Sequence, residues 1–131
     1  MNNIRVGIVG LGRLGKVHAQ NLATGVSCCE LTAACSLVET ELAFAQKKLG
    51  VKHTFSSYEE MVKSSVIDAV FIVSPSGFHC DQVRLAMENG KHVFTEKPLG
   101  LEVEDIKKTQ KVIEEHPEQV FMLGFMRRYD E

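Results

Sequence analysis

Strand-like and helix-like segments alternate along the whole chain of 131 residues, and this alternation limits the possible folds more than any other feature. The run Ala69–Val73 is apolar at every position, which is typical of a central parallel strand covered by helices on both faces. Gly25, Gly50 and Gly90 follow three of the helical segments, where a left-handed residue ends a helix. Six strands are predicted, at about residues 4–9, 30–35, 53–55, 69–73, 92–95 and 120–123.

This order of segments predicts an α/β protein built on a doubly wound parallel sheet, the Rossmann fold, with three αβα layers. Helices are expected at about residues 12–24, 38–49 and 78–89, with two more that begin near Ser57 and Glu102. The sheet should then have the strand order 3-2-1-4-5-6. We expect residues 1–124 to form this domain.

A motif with three glycines joins the first predicted strand to the first helix, and its residues are Gly10, Leu11, Gly12, Arg13, Leu14 and Gly15. In such a turn the first glycine allows a tight bend, the second lets the backbone approach a pyrophosphate, and the third packs the helix on the strand. The motif therefore predicts a dinucleotide held at the helix N-terminus. The alternative is a tight strand–helix turn that binds no ligand.

The residue at the end of the second strand is Ser36, where a site selective for NAD usually has an acid that binds the ribose 2′-hydroxyl. Serine does not repel a 2′-phosphate, and Arg13 in the glycine turn can pair with that phosphate. These residues favour NADP(H), with NAD(H) still possible. Three alternatives remain: Ser36 caps the next helix in a box with Glu39, Arg13 is merely solvated, or Glu39 binds the ribose and restores NAD.

Two further segments follow the fourth and fifth strands, at the sheet edge where such folds bind ligands. We expect the first, Ser74–His79, to lie under the nicotinamide half of the cofactor, with contacts from Ser74, Pro75, Ser76 and His79. The alternative for His79 is a packing or capping role in the helix that follows.

The second segment is Glu96-Lys97-Pro98, in which a lysine stands directly after a buried strand. A cation is costly to place there unless it has a partner or a function. Lys97 can hydrogen-bond the reacting hydroxyl or carbonyl, and it brings positive charge to a developing oxyanion. We therefore predict Lys97 as a catalytic residue, against the alternative of an ordinary surface lysine.

The overall composition argues against several other functions. A net charge of −2 gives no basic surface for nucleic acid or an anionic membrane, and no apolar run approaches the length of a membrane span. The four cysteines and five histidines show no metal-ligand spacing, so we expect no metal. A strand that begins at Ile4 leaves no room for a signal peptide, and we expect a cytoplasmic protein.

These motifs together resemble the cofactor domain of the Gfo/Idh/MocA oxidoreductases, and the tail is most similar to inositol 2-dehydrogenases. The resemblance covers essentially the whole chain and rests on Gly10-x-Gly12-x-x-Gly15, Ser74-Pro75 with His79, Gly90-Lys91-His92-Val93, Glu96-Lys97-Pro98-Leu99 and Gly124-Phe125-Met126-Arg127-Arg128-Tyr129-Asp130. It implies that Lys97 is the catalytic lysine that contacts substrate, that Pro98 follows a cis peptide bond, and that Arg127 contacts the polyol or sugar. Glu96, Lys97 and Pro98 are also expected to border the cofactor.

Three departures from the family pattern affect these expectations. Ser36 stands where inositol dehydrogenases of the NAD type carry Asp, and Ser76 stands where the family often has Asn. The family also has a second α/β domain, which carries an active-site Asp and His, the substrate pocket and the main subunit interface. We expect residues 125–131 to begin the connection to that domain, the chain to be an N-terminal part, and the full-length protein to be a homo-oligomer.

The function implied is that of an NAD(P)-dependent dehydrogenase, which moves a hydride between a polyol or sugar hydroxyl carbon and nicotinamide. This part alone should bind the dinucleotide and turn nothing over. Two alternatives stay open: a non-catalytic sensor of dinucleotides, and a dehydrogenase for another sugar or for a dihydrodiol.

Overall fold

A single parallel sheet of six strands, in the order β3-β2-β1-β4-β5-β6, organises the computed structural model, which describes residues 3–124. The strands are β1 (Ile4–Val9), β2 (Cys29–Cys35), β3 (His53–Phe55), β4 (Ala69–Ile72), β5 (His92–Glu96) and β6 (Phe121–Gly124). The α-helices are α1 (Arg13–Gln20), α2 (Glu39–Leu49), α3 (Tyr58–Lys63), α4 (His79–Glu88) and α5 (Val103–Glu114). Every pairing is parallel, so the predicted Rossmann fold and its strand order are confirmed.

Two hydrophobic cores lie on opposite faces of the sheet and produce the predicted three layers. Val70 and Ile72 of β4 are fully buried in the core that also takes in α3, α4 and α5. Ile8 of β1 and Phe71 of β4 point the other way, into the core formed with α1 and α2. Successive residues of β4 therefore serve different cores, because side chains alternate along a strand. This explains why the strand is apolar at every position.

On the α1 and α2 face, one row of side chains crosses the sheet and becomes more exposed toward its edge. The register aligns Ile8 with Phe71, Phe71 with Phe94, and Phe94 with Met122. Ile8 is fully buried, the two phenylalanines are half-buried and stack with their ring centroids 4.5 Å apart, and Met122 is 46% exposed. This face is therefore well covered at β1 and open at β6.

The end of the first helix differs from the sequence prediction. The first helix was expected to run to Thr24, but α1 ends at Gln20 and continues as a π-helical turn over Asn21–Gly25. The hydroxyl of Thr24 donates to the carbonyl of Gln20 at 2.8 Å, a local bond that competes with regular helical pairing. Gly50 and Gly90, which were predicted to end their helices, have positive φ, whereas Gly25 does not. The prediction of Gly25 as a left-handed stop is therefore wrong.

The four cysteines are all free thiols in different surroundings. Cys28 is exposed, Cys29 is half-buried, and Cys35 and Cys80 are buried. Burial raises the pKa of Cys35 to about 11, and burial likewise raises the pKa of Cys80 above its usual value. Both buried thiols therefore stay protonated near neutral pH and are poor nucleophiles.

We expect a small alkylating agent, applied near neutral pH, to label Cys28 first and Cys35 last in the folded chain. The physical reason is that Cys35 combines burial with a raised pKa, and both reduce the reactive thiolate. Mass spectrometry of the digested protein measures the order of labelling. In denaturant the four rates should converge, and equal rates of Cys28 and Cys35 in the folded chain would contradict the burial described here.

Candidate functional site

The carboxyl ends of β1 and β4 lie side by side and open a crevice at one edge of the sheet. Val9 aligns with Ile72, and the amide of Val73 donates to the carbonyl of Val9 at 2.8 Å. The helices that follow these two strands, α1 and α4, pack on opposite faces of the sheet. The loops after β1 and β4 therefore diverge, which is the topological switch point where open α/β sheets bind ligands.

Two of the three glycines in the turn after β1 are required by the protein's own packing. Gly10 has φ +94°, and a Cβ there would lie 2.5 Å from the carbonyl carbon and oxygen of Val73. A Cβ on Gly15 would lie 2.0 Å from the carbonyl oxygen of Gly10. These contacts pull the first turn of α1 close against the ends of β1 and β4.

Gly12 differs, because a Cβ there would meet no atom within 4 Å. Gly12 is the N-cap of α1, no side chain caps the helix, and its first turn contains no acid. The first amides of α1 are thus free to bind an anion that approaches over Gly12. Of the other turn residues, Leu11 is buried and can contribute only its backbone, whereas Arg13 and Leu14 are exposed. The arrangement fits a pyrophosphate.

The end of β2 borders this turn, since the amide of Gly10 donates to the carbonyl of Cys35 at 3.3 Å. Ser36 follows and is buried; its hydroxyl oxygen accepts from the amide of Val38 at 3.0 Å. The same hydroxyl donates to Oε1 of Glu41 at 2.7 Å. Sequence reasoning missed Glu41, although it is an acid only five positions after Ser36.

The predicted capping box between Ser36 and Glu39 is wrong. Helix α2 begins at Glu39 with Val38 as its N-cap, and no side chain caps it. Glu39 is exposed, and the carboxylate at Ser36 comes from Glu41, which stands two residues later in the helix and is half-buried. The predicted box lies two residues too early along the chain, because the N-cap is Val38 and not Ser36.

His79, in contrast, is 1% exposed and lies between the loops after β4 and β5. Its Nε2 is 2.6 Å from the carbonyl oxygen of Ser74, and its Nδ1 is 2.7 Å from that of Pro98. Both ring nitrogens thus face the backbone of the two loops. The contact of His79 with a cofactor stays a prediction, and this geometry favours the packing alternative. The hydroxyl of Ser74 is also engaged, with Gln82, while Pro75 is exposed and Ser76 half-buried.

Glu96 ends β5 and is 7% exposed, with its Oε1 2.6 Å from Nε2 of His18 on α1. The ring of His18 packs against Phe71 and Phe94, at centroid distances of 6.0 and 5.6 Å. The carboxylate just before Lys97 is therefore held by the helix that the glycine turn opens.

The backbone on the other side of Lys97 is anchored as well. The Lys97–Pro98 peptide bond is cis, as the family resemblance implied. Beyond Pro98, Sγ of Cys80 donates to the carbonyl of Leu99 at 3.3 Å. Lys97 itself is exposed and forms no salt bridge with any residue in the range 3–124. Its ammonium group is thus available at the crevice. The predicted substrate residue Arg127 lies outside the described residues.

Other kinds of site lack support in the part of the chain that the structure describes. It contains no group of three or more His, Cys, Asp or Glu side chains arranged to hold a metal ion. A search of the same residues for membrane-crossing helices finds none with enough length and apolar character.

A parallel sheet in this strand order, with a glycine turn at the switch point, defines a dinucleotide-binding Rossmann domain. The sequence model of the Gfo/Idh/MocA oxidoreductase family, described as an NAD-binding Rossmann fold, matches residues 4–125. The chain belongs to this family and corresponds to its NAD-binding domain. The predicted resemblance is confirmed.

Two curated relatives show how much of a family member the chain represents. It is 36% identical to the scyllo-inositol 2-dehydrogenase (NAD(+)) of Bacillus subtilis, over 98% of this chain and 37% of the relative. It is 34% identical to the myo-inositol 2-dehydrogenase of Thermotoga maritima, over 97% of this chain and 37% of the relative. The chain thus spans little more than a third of these relatives.

Solved structures show the same partial coverage of related proteins. The scyllo-inositol dehydrogenase of Lactobacillus casei, with bound NAD(H) and scyllo-inositol, is 55% identical with a TM-score of 0.97, over 99% of this chain and 38% of that one. The WlbA dehydrogenase of Bordetella pertussis, in complex with NADH and UDP-GlcNAcA, is 30% identical with a TM-score of 0.89, over 98% of this chain and 39% of that one.

We expect Gly12→Ala to fold normally and to bind NADH at least about tenfold more weakly, a loss of about 1.4 kcal/mol. The added methyl group meets no protein atom, so it affects only a ligand that approaches the turn. Thermal melting and a fluorescence titration with NADH measure the two effects. Gly15→Ala is the matched variant: its methyl group overlaps the carbonyl of Gly10, and it should destabilise the fold by about 1–3 kcal/mol. Normal binding by Gly12→Ala would contradict the pyrophosphate site.

A second prediction concerns the loops that His79 connects. His79→Leu removes the ring nitrogens that contact the carbonyls of Ser74 and Pro98. Leaving these acceptors unpaired should cost about 2 kcal/mol or more in the free energy of unfolding. Urea denaturation measures the change, and His53→Leu, at an exposed position of β3, should change it by less than about 0.5 kcal/mol. Similar losses in the two variants would mean that His79 does not connect the loops.

Proposed function

We propose that the protein to which this domain belongs is an NAD(P)-dependent dehydrogenase, which transfers a hydride between a polyol or sugar hydroxyl carbon and nicotinamide. The observation that carries the proposal is the position of Lys97. It stands exposed at the end of β5, between an anchored Glu96 and an anchored Pro98, beside the crevice where the dinucleotide fits. A cation at this point can hydrogen-bond a reacting substrate oxygen and stabilise the charge that develops on it.

The domain's own residues have three tasks in this proposal. The turn Gly10–Gly15 and the first amides of α1 hold the pyrophosphate. The loop Ser74–His79 supports the nicotinamide half of the cofactor. The buried ring of His79 holds this loop through its contact with the carbonyl of Ser74. Lys97 hydrogen-bonds the reacting hydroxyl, orients it and assists removal of its proton. A bound nicotinamide supplies the hydride acceptor.

The relatives support an inositol-like substrate, since the Lactobacillus casei structure holds scyllo-inositol and the curated relatives are inositol dehydrogenases. The Bordetella pertussis relative supports the alternative, a dehydrogenase for another sugar, because its complex contains a nucleotide sugar acid. The Asp and His expected in a second domain, the contact of Arg127 with substrate, the homo-oligomer and the cytoplasmic location remain predictions.

The choice between NAD(H) and NADP(H) is a finer question. A preference for NADP(H) was predicted from Arg13 and the uncharged Ser36, and it stays a prediction. Arg13 is exposed and can reach a 2′-phosphate, but the structure adds Glu41, whose charge at Ser36 opposes one. The Lactobacillus casei relative contains NAD(H).

We expect Lys97→Ala in the full-length protein to lower kcat by about 10²–10⁴-fold with inositol as substrate, as for loss of a group in proton transfer. The dissociation constant for the cofactor should stay close to that of the wild type, because the glycine turn binds the pyrophosphate. Lys108→Ala, an exposed lysine of α5, is the matched control and should change neither quantity. Undiminished turnover in Lys97→Ala would disprove the catalytic role. The absence of turnover in the wild type and in both variants would favour a dinucleotide sensor.

A further inference from the structure

The contact between His18 of α1 and Glu96 of β5 joins the two halves of the candidate site. Oε1 of Glu96 lies 2.6 Å from Nε2 of His18, and within residues 3–124 this is the one hydrogen bond of the carboxylate. An ionised carboxylate can only accept hydrogen bonds, so Nε2 of His18 carries the hydrogen and donates it. Helix α1 therefore holds the side chain that directly precedes Lys97.

The surroundings of this pair argue against a role in stability alone. The ring of His18 packs against Phe71 and Phe94, and the carboxylate of Glu96 is buried on the same face of the sheet. Burying a charge is costly, and a buried ion pair often contributes no more stability than well-packed apolar residues in its place. The pair is therefore better explained by what it positions than by the stability it adds.

The sheet supports the end of β5 on one side only. The pairing of β5 with β4 ends at Thr95, whereas Glu96 still aligns with Gly124 of β6. A Cβ on Gly124 would lie 2.8 Å from Cζ of Phe94 and 3.6 Å from Oε2 of Glu96. The glycine thus leaves room for the carboxylate, and His18 supplies a fixed point that β4 does not.

Two histidines from opposite faces of the sheet support the backbone around Lys97. His18 on α1 contacts Glu96, the residue just before the lysine. His79 on α4 contacts the carbonyl of Pro98, the residue just after it. The exposed lysine therefore projects from a backbone that is held on both sides.

Helix α1 connects one of these supports to the predicted pyrophosphate site. His18 stands six positions after Gly12, which corresponds to about 9 Å along the axis of an α-helix. A Cβ on Gly15 would overlap the carbonyl oxygen of Gly10, so the helix is seated directly against the glycine turn. An anion at the first amides of α1 and the backbone before Lys97 are thus held by the same short helix.

We propose that His18 is a positioning residue for Lys97: by holding Glu96, it fixes the lysine relative to a dinucleotide bound at the N-terminus of the same helix. His18 touches none of the reacting atoms in this proposal and acts through Glu96. The inference rests on the proposed dehydrogenase function. Its consequence is that the contact is needed for the rate of the reaction and not for binding or folding.

The test replaces the pair in the full-length protein without leaving a buried charge unpaired. The double variant His18→Phe with Glu96→Leu keeps an aromatic ring against Phe71 and Phe94 and replaces the carboxylate by an apolar side chain. His18→Gln is the matched variant, because it gives up the ring but keeps an N–H donor for Glu96. His53→Phe, at an exposed position of β3, is the control for the same substitution elsewhere.

Three measurements are made on each protein. Thermal melting gives the stability. A fluorescence titration with the reduced dinucleotide gives its dissociation constant and the number of binding sites. Steady-state kinetics with inositol and the oxidised dinucleotide give kcat and KM. Because kcat is expressed per dinucleotide-binding site, a fraction of unfolded protein does not lower it.

We expect the double variant to melt close to the wild type, since apolar residues can replace a buried ion pair without loss. Its kcat should nevertheless fall by about 10–100-fold, as for a misplaced catalytic group. The KM and the dissociation constant of the dinucleotide should change little, because the contact matters only in the transition state. His18→Gln should keep kcat within about threefold of the wild type, and His53→Phe should match the wild type.

An undiminished kcat in the double variant, or an equally large loss in His18→Gln, would overturn the inference and leave the proposed function in place, since Lys97→Ala tests that function separately. Weaker dinucleotide binding that explains the whole loss of activity would overturn it too. If the double variant does not fold, His18→Asn replaces it, because its amide is too short to reach Glu96; equal kcat in the Asn and Gln variants would then contradict the inference. No turnover by the wild type would remove the proposed function, and the role of His18 with it.

Discussion

The close approach of the glycine turn to the end of β4 is the contact on which the rest of the site depends. No side chain fits between Gly10 and the backbone at Val73, or between Gly15 and the carbonyl of Gly10. Because the turn is this tight, α1 starts directly at the sheet edge and its free amides face the crevice. The same placement brings His18 of α1 within reach of Glu96, 78 positions later in the chain. A larger turn would separate the anion site from the lysine.

The polar side chains around the crevice are largely used to hold its loops. His79 contacts the carbonyls after β4 and β5, His18 holds Glu96, and the Ser74 hydroxyl is bound to Gln82. Buried polar groups need such partners, so the loops are fixed before any ligand arrives. Lys97, in contrast, is exposed between anchored neighbours. The geometry suits a group that must meet a ligand at a defined position, since little ordering remains to be done on binding.

The fold was largely readable from the sequence, whereas the partners of the site residues were not. Strand and helix periodicities are local, and the apolar run Ala69–Val73 indicated its own central place. The glycine pattern was similarly readable, since Gly10 and Gly15 answer steric demands of the turn itself. The contacts of His79 and Glu41 depend on which atoms of separate loops and helices come together, which a local pattern does not predict. In the sequence alone, Ser36 with Glu39 matches a capping box. Helix α2 starts two residues later than that capping box implies, and the acid that meets Ser36 is Glu41.

The row of side chains that crosses the sheet from Ile8 to Met122 changes from fully buried to 46% exposed. Buried apolar contact is what resists local opening, so this spatial gradient is also a gradient of local stability. The strands at the centre are held from both faces, and β6 has one strand neighbour and one well-covered face. Glu96 aligns with Gly124 of β6. It therefore lies between the central strands, which are packed on both faces, and the edge strand, which opens more easily. Lys97, the next residue, therefore lies at the boundary between the firmly packed strands and the more easily opened edge of the sheet.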